Sequence, residues 1–286
     1  MNTIIKDIIG VGIGPFNLGL AALTSHHPEL DVEFIERRQE FNWHSGMLLP
    51  GATLQVPFLA DLVTMADPTH PLSYLNYLKQ HDRLYQFYYY ETFLVPRSEY
   101  NHYCQWAAGK LENCAYGETV VDVKYLKDIE CFTIQSQLNE GEVKTRYSRD
   151  LSIGVGTIPW LPQWAKSTNH SLVQHSARFG HMREQLAKCN SVTVVGSGQS
   201  AAECVLNLYR DLSLEQIEAG ARVNWVTRSA GFHPMEASKL GQECFTPAYM
   251  HYFHTLSREK RRSIVEGQGQ PVSYTHLTLP TKPKVV

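Results

Sequence analysis

Long apolar runs, paired cysteines and an excess of charge of one sign are all missing from this 286-residue sequence. No apolar run approaches the ~20 residues of a transmembrane helix, so we expect no membrane span. The six cysteines include no C-x-x-C pair, which argues against structural zinc and a redox-active disulfide and fits a reducing cytoplasm. A net charge of -2 gives no indication of a nucleic-acid partner. The N-terminus lacks the basic, apolar and small-residue regions of a signal peptide, so we expect a cytoplasmic protein. The thirteen histidines lack metal-ligand spacing, so we expect no bound metal.

A first glycine-rich loop follows a predicted buried strand and precedes an alanine-rich helical run. Its sequence is Asp7-Ile-Ile-Gly-Val-Gly-Ile-Gly-Pro-Phe-Asn17. Such glycines let the backbone approach a pyrophosphate at a helix N-terminus, where amide donors and the helix dipole favour the anion. Glu36 ends the next predicted strand, where an acid accepts hydrogen bonds from ribose hydroxyls and repels a 2′-phosphate. The loop therefore suits FAD or NAD, the alternative being an ordinary turn with a chance acid. The candidate pyrophosphate-binding residues are Gly12, Gly14, Pro15 and Asn17.

A second glycine-rich loop, Val192-Thr-Val-Val-Gly-Ser-Gly-Gln-Ser-Ala-Ala-Glu203, repeats this pattern. The strand predicted after it ends at Arg228 rather than at an acid. A guanidinium at that place can pair with a 2′-phosphate and so select NADPH over NADH; the alternative is a solvated arginine. The candidate NADPH-binding residues are Gly196, Ser197, Gly198, Gln199, Ser200 and Arg228.

Alternating strands and helices predict an α/β fold with a doubly wound parallel sheet. Predicted strands cover residues 4–11, 32–36, 151–156, 192–195 and 222–227, and predicted helices cover 16–25, 71–81, 99–111 and 199–211. An antiparallel meander is predicted at 120–125, 131–137 and 142–147, and residues 41–70 are predicted to be irregular. We therefore predict two Rossmann-like dinucleotide-binding units. Because two such units suggest an enzyme that passes electrons between two dinucleotides, we predict an FAD-binding domain over 1–180 and an NADPH-binding domain over 181–270.

The segment between the loops has the most particular sequence. It contains Trp43-His-Ser-Gly-Met47 and Phe58-Leu-Ala-Asp-Leu62, and Glu243-Cys-Phe-Thr-Pro247 follows later. With these motifs, residues 5–270 closely resemble the microbial N-hydroxylating flavin monooxygenases of siderophore biosynthesis, which act on lysine, ornithine or diamines. The resemblance implies FAD and NADPH as cofactors, O₂ and a small amine as reactants, and hydroxylation of a terminal amine nitrogen. The stretch 175–179 lacks the signature of Baeyer–Villiger and sulfur-oxidising flavin monooxygenases.

The resemblance also implies roles for individual residues. The side chains expected around the isoalloxazine, or close to it, are Trp43, His44, Met47, Gln55 and Arg97. Gln242 stands where the family often has an asparagine or aspartate near the substrate, although a surface glutamine is an equal alternative. The candidate catalytic residues are therefore His44, Gln55 and Gln242.

One departure from the family pattern concerns the substrate. Amino-acid hydroxylases of the family usually carry a lysine, implied to hold the substrate carboxylate, where this chain has Ala60. A buried carboxylate without a cationic partner is costly, whereas a diamine has no carboxylate. Ala60 therefore favours putrescine or cadaverine as substrate. Lys239 is a conceivable substitute cation, which keeps L-lysine as the alternative.

The end of the chain departs from the family as well. Family members are longer, and their C-terminal part completes the FAD domain with an Ala-Thr-Gly-Tyr motif that is not found here. We therefore expect an FAD domain that is incomplete at its C-terminus, with an inactive fragment as one alternative. Residues 271–286 resemble translated adapter read-through or a natural disordered tail, and we leave them out of the fold prediction. The relatives also suggest a homo-oligomer for the intact enzyme.

Overall fold

A computed structural model describes residues 4–138, 141–168, 170–229, 232 and 239–267. The described chain forms two compact units. The first comprises residues up to Ser45 together with Val56–Trp160, and the second comprises Gly46–Gln55 and the described residues from Leu161 onward. The predicted tail at 271–286 lies outside the described residues.

The first unit contains a mixed six-stranded sheet in the order β3-β2-β1-β6-β5-β4. Strands β1, β2, β3 and β6 run parallel, and β4 and β5 are antiparallel. The strands are β1 Ile5–Val11, β2 Val32–Glu36, β3 Cys114–Tyr116, β4 Glu118–Leu126, β5 Cys131–Leu138 and β6 Val143–Ile153. The helices of this unit are α1 Pro15–Thr24, α2 Tyr74–Gln80, α3 Leu84–Tyr90 and α4 Arg97–Ala108. The α/β class predicted from the sequence is confirmed.

Strand β6 corrects one element of the prediction. Residues 142–147 and 151–156 are predicted as separate strands, but the structure has a single strand of 11 residues. Its first half pairs antiparallel with β5, and the half from Tyr147 to Ile153 pairs parallel with β1. The meander and the parallel strands therefore form one sheet, because a single strand belongs to both.

An ion-pair network joins the meander to the parallel strands. Arg146 of β6 lies 3.0 Å from Glu33 of β2 and 2.9 Å from Glu118 of β4. Ser136 and Lys144 also donate to Glu118, at 2.9 and 3.1 Å. Burial of Glu118 opposes its charged form, but these donors outweigh the burial and lower its pKa to about 2. The network therefore links side chains of β2, β4, β5 and β6.

The second unit contains a parallel two-stranded sheet, β7 Ser191–Val195 and β8 Arg222–Val226, connected through a helical crossover. Its helices are α5 Gln163–Thr168, α6 Phe179–Leu186, α7 Gln199–Asp211, α8 Leu214–Glu218, α9 Lys239–Glu243, α10 Pro247–Thr255 and α11 Arg258–Gly267. None of the helices in the described part of the chain is long and apolar enough to cross a membrane.

The compact units divide at a different place from the predicted domains. The predicted boundary is residue 180, whereas residues 161–180 and the separate segment Gly46–Gln55 belong to the second unit. The reason is a buried cluster in which Met47 and Leu49 pack with Phe179, Cys204 and Leu208. Hydrophobic packing therefore assigns this segment to the second unit, although it lies early in the chain. The assignment of each cofactor to its domain stays a prediction.

Candidate cofactor sites

The first glycine loop lies at the carboxyl end of β1 and leads directly into α1. Gly12 has φ +86°, and a Cβ there would lie 2.6 Å from the carbonyl oxygen of Gly154. Gly14 is the N-cap of α1, with Pro15 at its first position. No side chain caps the N-terminus of α1, so its amide donors face the loop uncovered. This arrangement fits a pyrophosphate.

Asn17 supports the loop from its inner side. Its amide nitrogen donates to the carbonyl oxygen of Gly12 at 2.8 Å, and Ser152 donates to its amide oxygen at 2.7 Å. The residue is only 4% exposed. A Cβ at Gly154 would lie 2.6 Å from the Asn17 nitrogen, so this contact requires glycine. The described geometry makes Asn17 a positioning residue, and its direct contact with a cofactor stays a prediction.

Glu36 lies beside the same loop at the end of β2. Its Oε2 accepts from the backbone N–H of Ile13 at 2.9 Å, and its Oε1 accepts from the backbone N–H of Arg38 at 3.0 Å. Each carboxylate oxygen has a second lone pair that can accept a ribose hydroxyl. The structure therefore brings the predicted acid to the predicted loop with its carboxylate already oriented.

Trp43 and His44 lie in the first unit beside α4. The backbone N–H of Trp43 donates to Asn101 at 2.8 Å, and its ring packs edge-on against Tyr100. His44 is exposed and has φ 51°, an uncommon conformation for a residue other than glycine. Arg97 is half-buried at the start of α4. Helix α4 therefore supplies the support for this segment, and the contribution of Asn101 was not predicted.

Met47 and Gln55 belong to the second unit, unlike Trp43 and His44. Met47 is 4% exposed and packs in the cluster with Phe179, so its side chain is a core residue there. Gln55 is half-buried. The common location of these residues around one isoalloxazine stays a prediction.

The second glycine loop repeats the geometry of the first within the second unit. Gly196 has φ +135°, and its N–H donates to the carbonyl oxygen of Val226 at 2.9 Å. Gly198 is the N-cap of α7, again without a side-chain cap. The indole of Trp225 donates to the carbonyl oxygen of Gly196 at 2.6 Å and so holds the loop against β8. The N-terminal amides of α7 therefore fit a second pyrophosphate.

The polar residues predicted at this loop differ in exposure. Ser200 and Arg228 are exposed, and Ser197 is half-buried. Gln199 is only 8% exposed, and its amide donates to Glu203 of α7 at 2.6 Å. The structure thus keeps Ser200 and Arg228 accessible to a ligand, whereas Gln199 makes a contact inside its own helix.

Ala60 lies on a loop of the first unit that Asp61 organises. The Asp61 carboxylate accepts from the N–H groups of Thr64 and Tyr74, at 2.6 and 2.7 Å. Ala60 is exposed on this loop. Gln242 is exposed on α9, and the side chain of Lys239 lies outside the described residues. The organising role of Asp61 was not predicted, although Asp61 lies in the segment Phe58-Leu-Ala-Asp-Leu62 on which the family resemblance rests.

Comparison with known proteins identifies the family. Residues 4–278 match the L-lysine 6-monooxygenase/L-ornithine 5-monooxygenase family. The chain is 56% identical to the rhizobactin siderophore biosynthesis protein RhbE of Rhizobium meliloti, covering 92% of this chain and 58% of that protein. It is 43% identical to the putrescine N-hydroxylase of Shewanella oneidensis, covering 92% of this chain and 52% of that protein.

A solved structure agrees with these relatives. The FAD-bound cadaverine monooxygenase DfoA of Erwinia amylovora matches with a TM-score of 0.86 and 41% identity, over 93% of this chain and 61% of that one. The chain therefore spans somewhat more than half the length of the proteins that it matches. It belongs to the L-lysine 6-monooxygenase/L-ornithine 5-monooxygenase family, whose members depend on FAD and NADPH.

Proposed function

We propose that this chain forms the nucleotide-binding part of an FAD- and NADPH-dependent amine N-hydroxylase of siderophore biosynthesis. The proposal rests on one observation: the chain has two glycine loops of the same geometry, one close to an acidic residue and the other with a basic residue just after the neighbouring strand. Glu36 lies at the first loop, and Arg228 follows the strand beside the second. Family membership supports FAD at the first and NADPH at the second.

FAD, once reduced by NADPH, would supply the chemistry that transfers one oxygen atom of O₂ to the amine nitrogen. The residues of the chain bind the cofactors and orient the amine. The uncapped N-terminus of α1 binds the pyrophosphate, and Glu36 accepts from the ribose hydroxyls. Trp43, His44 and Arg97 of the first unit are proposed to lie near the flavin ring, and the place of Met47 and Gln55 beside it stays a prediction.

The amine must lose a proton before its nitrogen can accept oxygen. A free alkylammonium has a pKa of ~10.4 and is protonated at neutral pH. Among the candidate catalytic residues, only His44 has a side chain that can accept a proton. Gln55 and Gln242 can hydrogen-bond the neutral amine. We therefore propose that His44 accepts the proton of the substrate ammonium and that the two glutamines orient the amine.

For the substrate, we propose an aliphatic diamine, putrescine or cadaverine. Ala60 carries no cation for a substrate carboxylate, and the loop that presents it is held by Asp61. Of the similar proteins described above, one is named for putrescine and one for cadaverine. L-Lysine is the alternative substrate, and an inactive fragment is the alternative for this chain, since it covers 52–61% of those proteins.

The test is hydroxylamine formation by the purified chain supplied with FAD, NADPH and O₂. Putrescine, cadaverine, L-lysine and L-ornithine are compared at equal concentrations, and hydrogen peroxide is measured to detect uncoupled oxidation. The proposal expects the highest kcat/KM for a diamine. A preference for L-lysine would contradict the substrate assignment. A chain that neither binds FAD nor forms hydroxylamine would support the fragment interpretation. The predicted cytoplasmic location and homo-oligomer stay predictions.

A further inference from the structure

The two glycine loops can be aligned residue by residue from their hydrogen bonds. Val11 pairs with Ile35 in the first unit, and Val195 pairs with Val226 in the second. The next N–H, of Gly12 or Gly196, donates to the carbonyl oxygen of that partner, at 2.8 and 2.9 Å. The residue after Val226 therefore corresponds to the residue after Ile35. That residue is Thr227, so it is Thr227 and not Arg228 that stands at the position of Glu36.

A second hydrogen bond supports this alignment. In the first unit, the N–H of Arg38 donates to the Glu36 carboxylate at 3.0 Å. In the second, the N–H of Ser229 donates to the Thr227 hydroxyl at 3.0 Å. In both turns a backbone N–H donates to the side chain two residues earlier. The acceptor is a carboxylate in the first unit and a neutral hydroxyl in the second. The charge that would repel a 2′-phosphate is absent from this position in the second unit.

Ser229 lies where it can bind such a phosphate. Its hydroxyl lies 2.9 Å from the hydroxyl of Ser197 in the glycine loop, and it directly follows Arg228. Arg228 and Ser229 are both exposed, and Ser197 is half-buried. Each hydroxyl has one hydrogen, and in the pair one of these is donated to the partner serine. A phosphate oxygen is a stronger acceptor than a hydroxyl, so a bound phosphate can replace this bond.

We propose that Ser229, together with Arg228, binds the ribose 2′-phosphate of NADPH, and that Thr227 admits this phosphate by replacing the acid. The inference rests on the proposed function, because it takes the second unit as the NADPH site. It adds two residues, Thr227 and Ser229, to the prediction based on Arg228. Dinucleotide specificity is then set by three consecutive residues at the end of β8.

The test is calorimetric titration of the whole chain with 2′,5′-ADP and with 5′-ADP, which differ in the 2′-phosphate. The wild type is expected to bind 2′,5′-ADP at least tenfold more tightly. Ser229→Ala should lose about tenfold in affinity for 2′,5′-ADP and none for 5′-ADP, since one charge-assisted hydrogen bond is removed. Ser229→Thr, which keeps the hydroxyl, should retain the preference. Thr227→Glu should abolish it.

Ser191→Ala is the matched control. The Ser191 hydroxyl also bonds between β7 and β8, accepting from Asn224 at 3.0 Å, but Ser191 lies at the start of β7, whereas the glycine loop follows the other end of that strand. This variant should leave both affinities unchanged. Equal affinities of the wild type for the two nucleotides, or an equal loss of both in Ser229→Ala, would overturn the inference. Hydroxylamine formation is measured separately, so this result would leave the proposed hydroxylation untouched.

Discussion

The hydroxyl of Ser152 donates to the amide oxygen of Asn17 at 2.7 Å and thereby ties β6 to the start of α1. The two residues are 135 positions apart in the chain. Asn17 in turn holds the carbonyl of Gly12, so the shape of the first glycine loop depends on a strand from another part of the sequence. The loop is therefore a tertiary structure as much as a local motif.

Asn17→Leu should weaken FAD binding and destabilise the first unit. Leucine has a similar volume, but it leaves the Gly12 carbonyl and the Ser152 hydroxyl without their partner. We expect a loss of about 2–4 kcal/mol in the free energy of unfolding, because unsatisfied polar groups each cost about 1–3 kcal/mol. FAD titration and urea unfolding measure the two effects. Ser25→Ala, at the other end of α1, is the control, and an unchanged FAD affinity in Asn17→Leu would contradict the positioning role.

Gly46→Ala should destabilise the second unit. A Cβ at Gly46 would lie 2.0 Å from the carbonyl oxygen of Ala177, so the backbone must move. We expect a loss of at least about 2 kcal/mol, as for overpacking in a core. Gly109→Ala is the matched control, because its Cβ would have no atom closer than 3.5 Å. Similar melting temperatures for the two variants would show that the Ala177 contact does not matter.

Acid should destabilise the first unit through Glu118. Its pKa is about 2 in the folded chain, below the ordinary value of 4.5. The charged network therefore contributes its full stability above pH 4.5, and this contribution is lost as the pH falls from 4.5 toward 2. Glu118→Gln should be less stable than the wild type at pH 7, and its free energy of unfolding should fall less between pH 4.5 and 2. Chemical unfolding at a series of pH values measures this free energy. Glu112→Gln, at an exposed position, is the control.

His70 should make stability depend on pH near neutrality. Its Nδ1 accepts from the N–H of Leu72 at 3.0 Å, and its Nε2 lies 3.1 Å from the carbonyl oxygen of Ala22, so the neutral ring satisfies both contacts. Burial, and then the stacked His26, lower the pKa of His70 below 6.5. The neutral His70 ring therefore contributes its full stability above pH 6.5, and this contribution decreases as the pH falls below that value.

His70→Asn should remove this dependence, because the asparagine oxygen can accept from Leu72 without titrating. His170→Asn is the matched control. His170 also accepts from the N–H two residues on, at 3.2 Å, but it is exposed. Melting temperatures between pH 7.5 and 5.5 measure the effect. If the melting temperature changed equally with pH in the wild type and in His70→Asn, the pH dependence would belong to another group.

Ala60→Lys should shift substrate use toward amino acids. The new ammonium can pair with a substrate carboxylate and repels a diamine, so we expect kcat/KM for L-lysine to rise roughly tenfold or more and that for putrescine to fall. Ala66→Lys adds the same charge at another exposed position of the segment and serves as control. No gain with L-lysine in Ala60→Lys would indicate that this position does not face the substrate carboxylate.

The sequence by itself determined the local features: both glycine loops, the strands that precede them, and the acid at the end of β2. These depend on turn chemistry and on the period of apolar residues, which neighbouring positions determine. It also indicated the family through motifs that are continuous in the chain.

Only the tertiary structure decided that residues 143–153 form one strand, that Met47 packs with Phe179, and that Asn17 is held by Ser152. It also decided that Thr227 stands at the position of Glu36, since this register follows from pairing between β7 and β8. Each of these facts depends on contacts between residues far apart in the chain. Strand pairing and packing choose among such contacts by burial and hydrogen bonding, which no short segment of sequence encodes.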